Sequence, residues 1–134
     1  MIGRANYDDR LDTKALVVGI VEESSQKAYD YRDLARASVV NDTFEGEALT
    51  IALNTKSGET SVFKSTAGDQ QLSFQTSDDP IRMVDHQTDT IWNIGTGEAV
   101  SGKLKGTTLD RTLFIAAFWF FWADFYPNTE VYQA

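Results

Sequence analysis

One stretch near the end of the chain limits what it can fold into: Leu113-Phe114-Ile115-Ala116-Ala117-Phe118-Trp119-Phe120-Phe121-Trp122-Ala123, followed by Asp124-Phe125-Tyr126-Pro127. It carries five of the eight Phe and two of the three Trp. Apolar area leaves water at roughly 25 cal/mol per Å², and aromatics supply most of it per residue. A stable fold must therefore be organised around this segment. The pattern predicts a short strand near residues 112–115 running into a helix near residues 116–126. Pro127 ends that helix, because the residue before a proline disfavours the α region. At helical spacing Phe118, Phe121, Trp122 and Phe125 share one face, flanked by Trp119 and Tyr126, while Phe120 points away. A helix apolar almost all round is expected to be buried, leaving Phe120 to meet a partner subunit. The run is far shorter than the roughly 20 apolar residues of a membrane span. A stacking platform for sugar or single-stranded nucleic acid is the sharper alternative to core packing.

With 134 residues and 42% apolar content, the chain is expected to form one domain with a real core. Residues 1–14 read as a loose polar lead-in and 15–134 as the domain. The net charge is −8, spread along the chain. Such a field repels phosphate backbones and argues against nucleic-acid partners. There is no cysteine, which excludes disulfides, thiolate metal sites and cysteine nucleophiles. The first residues lack the apolar core of a signal peptide. The compartment expected is cytoplasmic, or extracytoplasmic with a leader already removed.

Turn signals recur roughly every ten residues. Ala15–Val21 is a strand by its β-branched content, Glu22–Lys27 a turn, and Ala28–Tyr31 the returning strand. Tyr31–Ala37 suits a short helix with Leu34 as its buried contact. Ser38-Val39-Val40 leads through Asn41-Asp42 to a turn at Glu45-Gly46. Ala48–Leu53 and Thr60–Lys64 flank a turn at Asn54–Gly58, and Ala67-Gly68-Asp69 turns again. Leu72, Phe74 and Thr76 alternate with polar residues, a half-buried strand. After the break at Asp78-Asp79-Pro80, extended segments at Ile81–Val84 and Thr90–Ile94 enclose a turn at Asp85–Asp89. The fold class predicted is mainly β (α+β): an antiparallel curved sheet of hairpins, one short helix in the N-terminal half, and a C-terminal aromatic helix.

From Leu16 to Tyr132 the order of landmarks resembles the family of bacterial and archaeal proteins known as domain of unknown function 3179. Asn41-Asp42 follows the first hairpin and helix. Asp85, Thr88 and Trp92 fit an Asp-x-x-Thr-x-Ser-x-Trp signature, with Thr90 replacing the serine. Gly97, Ala99, Gly102, Leu104, Gly106 and Leu109 fit its glycine-spaced segment. Phe118-Trp119, Trp122, Pro127 and Thr129 fit the closing signature, which is the most specific. Many members carry Cys-Pro-Leu-Cys-Gly in a strand-turn whose positions here hold Asn54, Ser57 and Gly58. A thiol redox or soft-metal role suspected for such members therefore has no chemistry in this chain. The resemblance supports a fold and supplies no mechanism.

Candidate site residues are few. His86, the single histidine, could act as a base near neutral pH, but no Gly-x-Ser-x-Gly elbow accompanies it. It reads as an exposed turn residue. Asp42 and Asp85 could form a carboxylate pair, or each could fix a turn by accepting backbone N–H bonds, as Asn41 could. Gly95-Thr96-Gly97 with Gly102 opens no helix and is no phosphate fingerprint; turns at positive φ account for it better. Trp92 reads as core, or as the floor of a pocket with Asp85 and Glu98. No metal-ligand spacing and no cofactor motif occurs.

The leading expectation is a non-catalytic binding or interaction module with a ligand site drawn from Asn41, Asp42, Asp85, Trp92 and Glu98. Its partner would be a small molecule or a protein. A hydrolase-like enzyme using Asp42, Asp85 or His86 is the alternative. A structural subunit of an oligomer, joined through the aromatic segment, is the third.

Overall fold

The computed structural model describes residues 8–134, and it divides into two compact units: residues 8–33 with 113–134, and residues 34–112. The elements in chain order are β1 (Leu16–Glu22), β2 (Ser25–Asp30), α1 (Tyr31–Ala37), β3 (Val39–Phe44), β4 (Glu47–Leu53), β5 (Thr60–Lys64), β6 (Thr66–Ala67), β7 (Gln70–Gln71), β8 (Phe74–Thr76), β9 (Arg82–Asp85), β10 (Ile91–Asn93), β11 (Ala99–Ser101), β12 (Ile115–Phe118), α2 (Trp119–Phe125) and β13 (Glu130–Val131). Among the described residues the protein is mainly β, with two short helices. Its strands form several small sheets in place of one curved sheet, and none closes into a barrel.

In the unit made from the two chain ends, the sheet order is β12-β1-β2-β13. β1 pairs antiparallel with β2 and β12. β13 adds in parallel to β2, the one departure from the antiparallel expectation among the described strands. Trp119, Trp122, Ala123, Val17 and Ala28 make the core.

The aromatic segment differs from its sequence reading in two ways. Ile115–Phe118 is extended, because it pairs with Leu16–Gly19 of β1, so the helix begins three residues later than expected. Moving the start takes Phe118 out of the helix altogether. The buried face is then Trp119, Trp122 and Ala123, with Tyr126 partly buried beside them, at the i, i+3, i+4, i+7 positions of a helix packed on one side. Phe118, Phe121 and Phe125 were expected in the core and are exposed. The physical cause lies in β1. A Cβ on Gly19 would lie 2.3 Å from the Trp122 ring, so only glycine leaves the trough into which that indole settles.

α2 has only seven residues, no side-chain N-cap and no basic residue in its last turn. Helices this short are marginal alone. Two of its orphan N-terminal amides are met by the preceding chain: Trp119 N–H donates to the Ala15 carbonyl at 2.7 Å and Phe120 N–H to that of Thr13 at 3.1 Å. Residues 8–14, expected as a loose lead-in, are tied down further. Trp119 Nε1 donates to the Asp8 carbonyl at 2.9 Å, and Arg10 donates to the Thr129 carbonyl at 2.7 Å while its guanidinium lies over the Trp119 ring. The first seven residues of the lead-in lie outside the described residues.

The unit spanning residues 34–112 holds β3-β4-β5, the sheet β11-β10-β9-β8 and the ribbon β6-β7. Its core is built on Phe63, Phe74, Met83, Trp92, Ile94 and Leu109. The hairpin turns fall where the glycines and Asx residues place them. At Gly97 (φ +74) a Cβ would also meet the Phe63 ring at 2.6 Å.

Candidate functional site

The residues singled out from the sequence separate into structural knots and exposed groups. Asp85, at the end of β9, is completely buried. It accepts bonds from the Thr88 amide at 2.5 Å, the Thr88 hydroxyl at 2.8 and 2.9 Å, and Trp92 Nε1 at 2.8 Å. The Thr88 and Thr90 hydroxyls lie 2.8 Å apart, and Thr90 Oγ1 accepts from the Leu104 amide at 3.1 Å. The proton order follows: Thr88 donates to the carboxylate, so Thr90 donates to Thr88. All four members of the Asp-x-x-Thr-x-Thr-x-Trp run are thus wired together. A threonine where the resemblance places serine keeps the needed hydroxyl. Three donors converge on the Asp85 carboxylate, the Thr88 hydroxyl proton being shared between its two oxygens, an arrangement that fixes a turn and buries an indole N–H at no cost in unpaired polar groups.

Trp92 has no exposed surface and meets Phe74 edge to face at 5.7 Å. Glu98 is exposed and bridges Thr108 through the backbone. Asn41 on β3 exchanges a reciprocal pair with β8: its Nδ2 donates to the Phe74 carbonyl at 2.8 Å, and the Phe74 amide donates to its Oδ1 at 2.8 Å. This mimics a strand pairing. Asp42 is half-buried on β3, opposite Leu49. A ligand would reach Trp92 only through a rearrangement of the surrounding core.

His86 is exposed, and its Nδ1 lies 2.9 Å from Ser73 Oγ. Gln87 Nε2 donates to the same hydroxyl at 3.1 Å, and Gln87 Oε1 accepts from the Ser73 amide at 2.9 Å. Asp85, though adjacent in sequence, is turned inward to Thr88 and Trp92, and its carboxylate is not among the partners of the imidazole. Sequence reasoning missed Ser73, because only the pairing of β8 with β9 brings it to His86.

Asn54 and Ser57, where the resemblance places two cysteines, do hydrogen-bonding work in the β4–β5 turn. Asn54 Oδ1 accepts from the amides of Lys56 and Ser57 at 2.9 and 3.2 Å, and Ser57 Oγ accepts from Glu59 N–H at 3.2 Å. Gly58 sits at φ +80. Among the described residues no cluster of three or more His, Asp or Glu side chains is placed to hold a metal ion.

The chain-end unit carries a different kind of surface. Leu113 is 93% exposed, Phe125 66%, Phe121 53%, Phe118 51% and Phe120 39%. Ile115, Phe121 and Phe125 line a shallow apolar cleft of about 120 Å³ with Trp122 and Tyr126 behind it. Phe118, one step along the strand from Ala117, projects to the opposite side and stacks with Phe120 at 6.0 Å. Between these two groups runs β12, a sheet edge. No helix among the described residues is long and apolar enough to cross a membrane.

The fold and its sites define a small, mainly β protein with structural polar knots and one exposed aromatic edge. The profile of the family described as Protein of unknown function (DUF3179) matches residues 1–129, and the chain belongs to that family. Neither a curated protein nor a solved structure matches it.

Proposed function

We propose that the protein is a non-catalytic interaction module whose contact surface is the free edge of β12 with the rings on either side of it, and that the partner is a second copy of the chain. The supporting observation is the exposure of Leu113, Ile115, Phe118, Phe120, Phe121 and Phe125 around one strand edge that no other described strand pairs with. Free edges are normally blunted by lysine, proline or a bulge. Ile115-Ala116-Ala117-Phe118 has none of these. An antiparallel partner strand added here would complete the backbone bonds and cover apolar groups on both faces at once.

The area fits as well. At 150–250 Å² per buried aromatic side chain, the exposed rings with Leu113 and Ile115 offer roughly 600 Å² per copy. A two-fold pair would then bury roughly 1,200 Å², the lower end for a specific interface. Isologous pairing of one edge with itself satisfies the closure expected of a homodimer.

Sedimentation velocity over a concentration series tests this. The chain should form a dimer at micromolar concentration, and Phe121→Ser/Phe125→Ser should weaken it at least tenfold. A chain that stays monomeric at several hundred micromolar would remove the proposal.

A second reading, a hydrolase-like enzyme, is favoured by the Ser73–His86 contact alone, since a hydroxyl beside an imidazole is the start of a nucleophile–base pair. A serine-directed fluorophosphonate that labels Ser73, and fails to label it in His86→Ala, would carry this reading. An unlabelled Ser73 would end it.

A further inference from the structure

Arg82, on β9, presents an unusual arrangement in the unit spanning residues 34–112. Its side chain is half-buried, and its Nε is shut off from solvent with no hydrogen-bond partner. A buried donor left unmade is costly, more so on a charged group. Arg82 lines a cavity of about 190 Å³ together with Ser38, Thr55, Thr76, Ser77, Asp78 and Asp79. The two carboxylates give Arg82 no ion pair. Asp79 Oδ1 accepts from the Ile81 amide at 3.1 Å, and the Asp79 amide donates to Ser77 Oγ at 3.0 Å, so this loop is closed on itself. The Arg82 amide donates to the Asp79 carbonyl at 3.0 Å, which fixes the loop against the arginine backbone at the cavity's edge.

Ser38 supplies the second observation. It follows α1 at φ +66, with its amide bonded to the Leu34 carbonyl at 2.8 Å. This is the position after a helix where glycine, or failing that asparagine, is the ordinary residue. A β-carbon there costs on the order of 1–2 kcal/mol. Serine carries that strain at a position that lines the cavity. Non-glycine residues at positive φ concentrate where ligands are held.

We infer that this cavity binds a small molecule bearing one oxyanion, a carboxylate or phosphate monoester, together with hydroxyl groups. The oxyanion meets the Arg82 fork, for which planar oxyanions are the matched partner, and takes hydroxyl donors from Ser38, Thr55 or Thr76. The ligand's own hydroxyls donate to Asp78 and Asp79 at the rim. Those acids also set the selectivity, because in a chain of net charge −8 they repel a bare anion and favour one that brings donors.

The test follows the Arg82 Nε–H resonance by NMR in the full chain during titration with glycerate, glycerol 3-phosphate, acetate and inorganic phosphate, with chloride at matched ionic strength. Glycerate or glycerol 3-phosphate should shift it saturably and bind at least fivefold tighter than the matching bare ion; which of the two does so tells carboxylate from phosphate. Arg82→Gln should weaken binding at least tenfold. Ser38→Gly should weaken it severalfold while leaving the melting temperature equal or higher, a combination that a purely structural serine would not give. The inference is overturned if no probe saturates, if chloride reproduces the shift, or if Ser38→Gly binds as tightly as the wild type.

Discussion

At the scale of single residues, the chemistry in this chain is mostly spent on holding turns and rings in place. Asp85→Ala would strand the Thr88 amide and the Trp92 N–H, both inside the protein. At 1–3 kcal/mol for each unsatisfied donor, the expected loss is about 3 kcal/mol, read as a lower urea midpoint with an unchanged slope. Gly19→Ala pushes a methyl group into the Trp122 ring. Overpacking of this kind costs about 1–3 kcal/mol, and the signature is loss of near-ultraviolet dichroism from a freed indole.

Asp8 gives a pH dependence. Its hydrogen bond from the Arg10 side chain holds its carboxyl below the ordinary range. A depressed folded-state value means that the stabilisation is in place above the ordinary carboxylate range and is lost as pH falls through the folded value. Asp8→Asn should therefore show a flatter loss of stability below about pH 4, while the two proteins differ little and constantly at neutral pH. The pair is surface-exposed, so the difference is small.

At the scale of elements, the sequence is a good guide wherever the information is local. Tyr31–Ala37 and Thr60–Lys64 form as read, because helix formers and β-branched residues sit between glycine and Asx turns. The aromatic segment misleads because its outcome depends on residues almost a hundred positions away. Pairing with Leu16–Gly19 keeps Ile115–Phe118 extended, and the trough at Gly19 selects Trp122 over Phe121 for burial. A hydrophobic count cannot see either. The site residues divide in the same way. The Asp85–Thr88–Thr90–Trp92 knot lies within eight residues and is visible as a motif, though as a scaffold. Ser73 reaches His86, and Ser38 and Arg82 come to line one cavity, only through strand pairing and loop closure. Since Phe121 and Phe125 are exposed on α2, Phe121→Ser and Phe125→Ser should each change the monomer's stability by only about 0.5 kcal/mol, the range for surface positions. Trp122→Ala, in the core, should cost about 3–5 kcal/mol. Thermal melts of the three variants in dilute solution would separate the two faces of the helix.

At the scale of the whole molecule, most buried polar groups are paired, while the β12 edge carries exposed aromatic rings and no partner strand among the described residues. Two copies each carrying −8 repel through solvent, and added salt screens that repulsion over a Debye length of about 10 Å at 0.1 M. Self-association is therefore expected to tighten between 50 and 500 mM NaCl, the opposite of an interface held by complementary charges. The most direct measurement is amide hydrogen exchange across β12 and α2 at low and high protein concentration. Edge pairing predicts that amides of Ile115–Phe118 left unbonded by β1 exchange rapidly in dilute solution and become protected as concentration rises, and that this change disappears in Phe121→Ser/Phe125→Ser. Exchange at β12 that is the same at both concentrations would contradict the central claim that this edge is the protein's contact surface.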